Sequence, residues 1–337
     1  MSGLPSRRLG RTGPQVSAVG LGCMGMSEFY GRGSRADSIR TIRRAVELGV
    51  TLFDTADMYG QGDNERLLAE ALGPDREGVT VATKFGLVRD EAGKFTGVDG
   101  SPEYVRGACE ASLGRLDIDV IDLYQLHRVD PDVPIEETVG AMRELASEGK
   151  IRFIGLSEVS AGQLRAAARS AQVASVQSEY SLLERSVESA VLPECVRLGT
   201  AFIPFAPLMR GLIARRFTSR DELDETDTRR RGSYPRLAGD PLRRNLELAR
   251  LVWEIADARG ATPAQVAISW LLSRSPAVIP IPGTRSVERL EENLGALELE
   301  LDAVERGRLD AIVGPAGHAE GDRLPRRGHN RDAAGRR

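Results

Sequence analysis

Four residues in the first half of the chain have the types needed to place a proton on an oxygen atom. Asp54 ends the apolar run VTLFD, Tyr59 follows in TADMYG, Lys84 ends VTVATK and His127 ends VIDLYQLH. A buried lysine beside a carboxylate stays charged, and its charge is expected to lower the pKa of a nearby phenol from the ordinary value of about 10. Tyr59 would then serve as a general acid near neutral pH, tuned by the Lys84–Asp54 pair. His127 adds a second donor that orients and polarises a carbonyl oxygen, where negative charge develops as hydride adds to the carbon. Composition singles out two of the four. Of 46 basic residues only Lys84, Lys94 and Lys150 are lysines, so a chain that otherwise writes its cations as Arg sets a compact ammonium at the end of an apolar run. His127 is the only histidine before His318 and His329. Taken singly, each residue has a plain structural use: a loop cap, an ion pair, a groove filler, a hydrogen-bonded imidazole. Their convergence at matched strand ends favours a catalytic site.

Such convergence needs a scaffold that brings strand ends to one rim. Apolar runs at 16–22, 50–54, 79–84, 120–127, 151–157, 173–179, 200–206 and 277–283 alternate with amphipathic stretches such as 38–49, 104–116 and 135–149. Repeated strand–helix units of this kind predict an α/β fold, a (β/α)8 TIM barrel with its active site at the C-terminal ends of the strands; an open doubly wound sheet is the alternative. The stretch 7–20, RRLGRTGPQVSAVG, reads as a hairpin ahead of the barrel. Residues 20–25, GLGCMG, match the dinucleotide fingerprint G-x-G-x-x-G, but a polar loop follows them and helical periodicity begins only near Ser38. Without a helix opening at the motif there is no N-terminus to face a pyrophosphate, so these glycines read as a turn leaving the first barrel strand.

The 337 residues, 41% hydrophobic and 28% charged, are those of a globular chain. A net charge of -3 argues against a globally basic nucleic-acid binder. Cys23, Cys109 and Cys195 form no CxxC and no metal-ligand spacing, so neither a disulfide framework nor a metal site is expected. No apolar stretch approaches a membrane span and the N-terminus lacks a signal-peptide core, which predicts a cytoplasmic protein with no membrane association. Residues 1–313 read as one barrel domain and 314–337 as a polar, Arg-rich, disordered tail. Residues 209–241 show no period and few apolar groups, and read as a mobile flap. After the eighth run, Gly283-Thr284-Arg285 leads to Ser286 as an N-cap and the helix VERLEENL, a geometry that suits phosphate, with Arg285 and Arg289 one turn apart to flank an anion.

The segments FDTADMYGQGDNERLLAEAL, VATKFG, IDLYQLHRVDP, IGLSEV, QSEYSLLER and IPIPGTRSVERLEENLGAL together resemble, in order, the signature segments of the aldo-keto reductases. The resemblance implies a barrel that binds NADPH without a Rossmann domain and reduces small-molecule aldehydes or ketones, with Asp54, Tyr59, Lys84 and His127 as its tetrad and Tyr59 as proton donor. It implies that Ser157 and Gln177 hold the nicotinamide carboxamide, beside Asp54, and that Met24 lies against the cofactor. Phe205, Leu208, Arg210 and Gly211 are implied along the nicotinamide and pyrophosphate; Gly283, Thr284, Arg285, Arg289, Glu292 and Asn293 of the eighth unit are expected to bind the cofactor as well, Arg285 and Arg289 within reach of the adenosine 2′-phosphate. Two departures stand out: Phe205-Ala206 where members commonly have Tyr-Ser, and Glu158 where many have Asn. Substrate contacts are expected from rim loops 26–36, 86–100 and 209–241, through the aromatic Phe29, Tyr30 and Phe85. Channel-associated relatives suggest an alternative, a cofactor-binding redox-sensing subunit with little turnover.

Overall fold

Strand periodicity does most of the building. The computed structural model describes residues 3–323. Two short strands, β1 (Ser6–Arg8) and β2 (Gln15–Ser17), form the expected antiparallel hairpin. Seven parallel strands follow in the order of the chain around one sheet: β3 (Leu21–Gly22), β4 (Leu52–Asp54), β5 (Thr80–Phe85), then, after a β6 (Leu87–Arg89) and β7 (Phe95–Val98) hairpin, β8 (Ile121–Leu126), β9 (Ile151–Ser157), β10 (Val173–Glu179) and β11 (Ala201–Phe205). The helices α1 (Arg35–Glu47), α2 (Asp63–Leu72), α3 (Pro102–Leu116), α4 (Ile135–Ser147), α5 (Ala161–Ser170), α6 (Val191–Leu198), α7 (Gly239–Arg259), α8 (Pro263–Arg274), α9 (Val287–Leu294) and α10 (Ala303–Asp310) complete the main elements.

Residues 277–283 close the barrel without forming a full strand. Ile279 and Ile281 donate to the Phe202 and Pro204 carbonyls at 2.8 and 3.1 Å, and the carbonyls of Pro280 and Pro282 accept from Gly20 and Gly22 at 2.9 and 3.4 Å. Pro280 and Pro282 have no N–H to return on that side, so the ladder to β3 is one-sided and only an isolated Gly22–Gly283 bridge remains there, while a single Phe202–Val278 bridge joins the segment to β11.

Alternation then sorts side chains. Leu52, Ala82, Leu123, Ala174, Ala201, Ile203, Ile279 and Ile281 fill the barrel interior, with Leu9 and Val16 of the hairpin region packed among them. Their immediate chain neighbours, such as Phe53, Val81 and Tyr124, join the larger core that includes the helices. Gly155 is needed in this interior, since a Cβ there would sit 2.7 Å from both Gln125 Cγ and Ser175 Oγ.

Three loop expectations change. Residues 86–100, expected as an open loop, contain the β6/β7 hairpin. Residues 209–241 join the main hydrophobic core through buried Met209, Leu212, Ile213, Phe217, Leu223, Tyr234 and Leu237, so the segment is a packed cover rather than a flap with little to bury. The apolar residues are spaced between turns of 3-10 helix, which hides them from any α or β period. Part of the segment expected as a tail is folded. Residues up to Arg323 fold back on the barrel: Ala319 is buried with its N–H on the Leu183 carbonyl at 2.7 Å, and Glu320 N–H donates to Asn245 Oδ1 at 2.8 Å. The remainder of the expected tail, 324–337, lies outside the described residues.

Candidate active site

The tetrad follows from alternation plus one turn. Lys84 shares the inward face of β5 with Ala82, Asp54 that of β4 with Leu52, and His127 follows β8 on the face of Leu123 and Gln125. Beyond β4 the chain stays bonded to β5, with Thr55 N–H on the Ala82 carbonyl at 2.8 Å and Asp57 N–H on the Lys84 carbonyl at 3.0 Å. The turn that then carries Tyr59 needs left-handed backbone at Gly60, Gln61 and Gly62. Glycine is favoured at Gly62, where φ is 88° and a Cβ would push the Arg115 side chain aside from 2.4 Å. Asn64 pins the turn, accepting from Thr55 Oγ1 at 2.7 Å and donating to the Cys23 carbonyl at 2.9 Å.

Lys84 is fully buried, and its Nζ donates to Asp54 Oδ2 at 2.5 Å and to the Thr55 carbonyl at 2.8 Å, with Tyr59 Oη 3.5 Å away. The other oxygen of Asp54 accepts from Gln177 Nε2 at 2.7 Å and Gln125 Nε2 at 3.2 Å, so the carboxylate is held from three strands. Tyr59 and His127 meet edge to face, their ring centroids 5.8 Å apart.

Burial works against the Lys84 ammonium, but the Asp54 carboxylate and Tyr59 more than offset it, and its pKa lies above the ordinary value. For Tyr59 the expected direction is reversed. Burial pushes the phenol up, Lys84 pulls it down, and burial wins. The phenol therefore keeps its proton at neutral pH, the state a proton donor requires, and Lys84 limits how far the pKa climbs. Burial first, then the charges of Lys84 and Arg128, hold His127 well below the ordinary imidazole range, so it is neutral.

Asp54, Tyr59 and His127 open onto a cavity of about 560 Å³ that runs from the tetrad to Arg285 and Arg289. Against this geometry stand the comparisons with known proteins. Residues 18–313 match the Aldo/keto reductase family. The chain belongs to that family. Among its relatives, "Probable aldo-keto reductase 1" of Glycine max is 39% identical over 318 residues, 94% of this chain and 90% of the relative. The glycerol dehydrogenase of Gluconobacter oxydans superposes with a TM-score of 0.81 at 29% identity, covering 91% of this chain and 94% of that one. An aldo/keto reductase from Klebsiella pneumoniae, solved with NADP and acetate, gives a TM-score of 0.71 at 28% identity over 94% of this chain and 98% of that one.

As an aldo/keto reductase the protein is an NADP(H)-dependent oxidoreductase, and the residues named above can be placed around its cavity. Met24, Phe29, Tyr30, Ser157, Gln177, Phe205, Leu208, Arg210, Gly211, Gly283, Thr284, Arg285, Arg289 and Asn293 all line it. Lys84 lies behind Asp54 and Tyr59, out of contact with the open space. Phe85 is misplaced by the sequence reading: one residue after inward Lys84, it points outward and stacks on Tyr124 with centroids 4.6 Å apart. Glu292 also turns from the cavity, to pair with Arg216.

The cover over the cavity is strained and cross-linked. Ala206, Met209 and Arg210 have positive φ, a backbone that costs a non-glycine residue roughly 1–2 kcal/mol. Arg210 donates to Tyr30 Oη at 3.0 Å and lies 4.2 Å from the Tyr234 ring centroid. Arg229 pairs with Asp227 at 2.6 Å, donates to the Arg210 carbonyl at 2.6 Å and covers the Tyr30 ring at 4.8 Å. Tyr30 is thus part of the lock between loop 26–36 and the cover.

Several lining residues escaped the sequence reading: Arg128, Glu179, Arg216, Arg229 and Arg323. Arg128 adjoins His127 in HRVDP and was within reach of the strand-end argument. Arg323 was not, because nothing near it in the chain shows that it returns to the cavity, where it pairs with Glu158 and lies 3.4 Å from Glu179. Glu158, at φ 55°, spends its carboxylate on Arg323 and on the Glu179 N–H at 3.0 Å; Asn, common there in the family, suits that left-handed backbone better. Among the described residues no helix is long and apolar enough to cross a membrane.

Proposed function

We propose that this protein reduces aldehydes or ketones to alcohols with NADPH, Tyr59 delivering the proton. The observation that carries this reading is the buried Lys84 ammonium, clamped by Asp54 at 2.5 Å and facing Tyr59 Oη at 3.5 Å on the floor of an elongated cavity. The donor set suits the cofactor. Gln177, buried with its Nε2 on Asp54, and buried Ser157, its partner across the β9–β10 pair, fit a nicotinamide carboxamide. At the far end two cations wait without a carboxylate partner: among the described residues neither Arg285 nor Arg289 forms an ion pair, and Ser286 caps α9 beside them, its Oγ accepting the Arg289 N–H at 3.3 Å. NADPH supplies the hydride when bound. The protein orients a carbonyl oxygen between Tyr59 and neutral His127, donates the Tyr59 proton to it as negative charge grows, and returns a proton to the phenolate from solvent.

Preference for NADPH over NADH follows from the two arginines, since a 2′-phosphate offers charge-assisted bonds where NADH has a hydroxyl. Arg285 is partly committed, donating to the carbonyls of Gly25, Tyr30 and Gly31 at 3.4, 3.0 and 3.1 Å, so Arg289 is the freer phosphate ligand. The three cysteines, all buried and free, support a reducing, cytoplasmic setting. The test is to titrate NADPH and NADH separately by fluorescence quenching and then assay both against a panel of aldehydes. Tighter NADPH binding with turnover is expected; equal affinities would remove the phosphate reading, and binding without turnover the reductase reading.

A further inference from the structure

Most arginines of the cavity have answered charges. Arg210 faces Glu179 at 3.7 Å, Arg216 pairs with Glu292, Arg229 with Asp227, and Arg323 with Glu158 and Glu179. Arg128 does not. It follows His127 at the tetrad end of the cavity and lines it, yet among the described residues it has no ion pair. Its Nη1 donates to the His127 carbonyl at 2.6 Å and to Ser157 Oγ at 3.2 Å. These two acceptors fix the guanidinium in place, and neither carries a charge. Burial accordingly pushes the Arg128 pKa down from its ordinary value, with Glu158 acting only at longer range. Arg128 is also close enough to act electrostatically on both Tyr59 and His127.

A half-buried guanidinium with an uncharged anchor and free donors toward a cavity is a receptor for an anion. Arg285, held on the carbonyls of Gly25, Tyr30 and Gly31, meets the same description at the opposite end, where the proposed cofactor brings a phosphate. At the tetrad end the anion must come with the substrate. We propose that Arg128 is a specificity residue that binds an anionic group, carboxylate or phosphate, on the carbonyl compound, so that charged aldehydes and oxo acids are the favoured substrate class. This rests on the reductase reading, with products that are hydroxy acids or phosphorylated alcohols.

The test compares matched pairs with NADPH: 4-carboxybenzaldehyde against its methyl ester, succinate semialdehyde against butanal, and glyceraldehyde 3-phosphate against glyceraldehyde. For wild type, kcat/KM should favour the charged member by about ten- to a hundredfold, the span of one or two charge-assisted hydrogen bonds. The carboxylate and phosphate arms tell which anion fits. In Arg128→Met the preference should collapse toward one, mainly through KM of the charged member, and Arg128→Lys should restore part of it. A wild-type ratio at or below one in every pair overturns the proposal whether or not the variants fold. So does an equal loss of kcat on charged and neutral members in Arg128→Met, which would place Arg128 on the reacting oxygen instead. If no compound turns over, the reductase reading fails separately. The anion site is then read by calorimetry of the NADPH complex with the same pairs: tighter binding of the charged members supports it and equal binding overturns it.

Discussion

Two sides of one cavity are built by different means. On the side of β4, β5 and β8, the polar groups sit on strand ends whose backbone is bonded to its neighbours and whose inward neighbours, Leu52, Ala82 and Leu123, are packed in the barrel interior. On the other side, the cover at 206–241, the turn at 283–289 and the returning segment up to Arg323 are held by arginines: on Asp227, on Glu158, and on the carbonyls of Gly25, Tyr30 and Gly31. The first side fixes reacting groups to within a hydrogen-bond length, while the second is a packed, arginine-held cover that shapes the rest of the cavity. The chemistry should therefore fail when the first side is altered, and affinity or selectivity should change when the second is.

The largest effect is expected at Tyr59. Tyr59→Phe keeps the ring and removes the proton, so carbonyl reduction should fall by about 10²–10⁴-fold while NADPH affinity, measured by fluorescence quenching, stays near wild type. Lys84→Met should follow, with a loss of about 10²-fold or more and a displaced pH profile. Lys84 is the charge that pulls the Tyr59 pKa down against burial. Without it the phenol rises further, so the phenolate needed for alcohol oxidation appears only at higher pH, and the alkaline-rising limb of the oxidation rate should move up. An unmoved limb in an active variant would sever the coupling. The same variant leaves Asp54 without its ammonium and should unfold more readily, by about 3–5 kcal/mol in chemical denaturation.

Smaller effects are expected across the cavity. Arg289→Ala should weaken NADPH by about tenfold and leave NADH unchanged, an exposed cation giving the lower end of the range for charged hydrogen bonds. Arg285→Ala should weaken both cofactors, because it also releases the carbonyls at 25–31; a loss confined to NADPH would show that the loop does not depend on it. Smallest is Glu158→Asn, which relaxes a left-handed glutamate and frees Arg323. Substrate KM should shift by about two- to fivefold with kcat held, the scale of a partly exposed ion pair.

This contrast also explains what could be read from the chain. Asp54, Lys84 and His127 were legible because they end apolar runs that a barrel brings to one rim; the strand's period of two, which that argument left out, is what turns Phe85 out to Tyr124. The closing segment 277–283 was legible as an apolar run, although Pro280 and Pro282 keep it from becoming a full strand. The cover was not legible as a packed unit, because Phe217, Leu223 and Leu237 are buried by turns that share no period. Arg323 was hidden for a different reason: its place depends on ion pairs to Glu158 and Glu179, far away in the chain.

The central claim, that the Lys84-tuned Tyr59 makes this chain a working carbonyl reductase, is tested most directly by following NADPH consumption together with product. Wild-type protein given NADPH and an aldehyde should form the corresponding alcohol in one-to-one ratio with the NADPH consumed, and Tyr59→Phe should lower both signals together by about 10²–10⁴-fold. NADPH bound tightly by the wild type with no alcohol formed from any aldehyde or ketone, charged or neutral, would contradict the account and mark the barrel as a cofactor-sensing subunit.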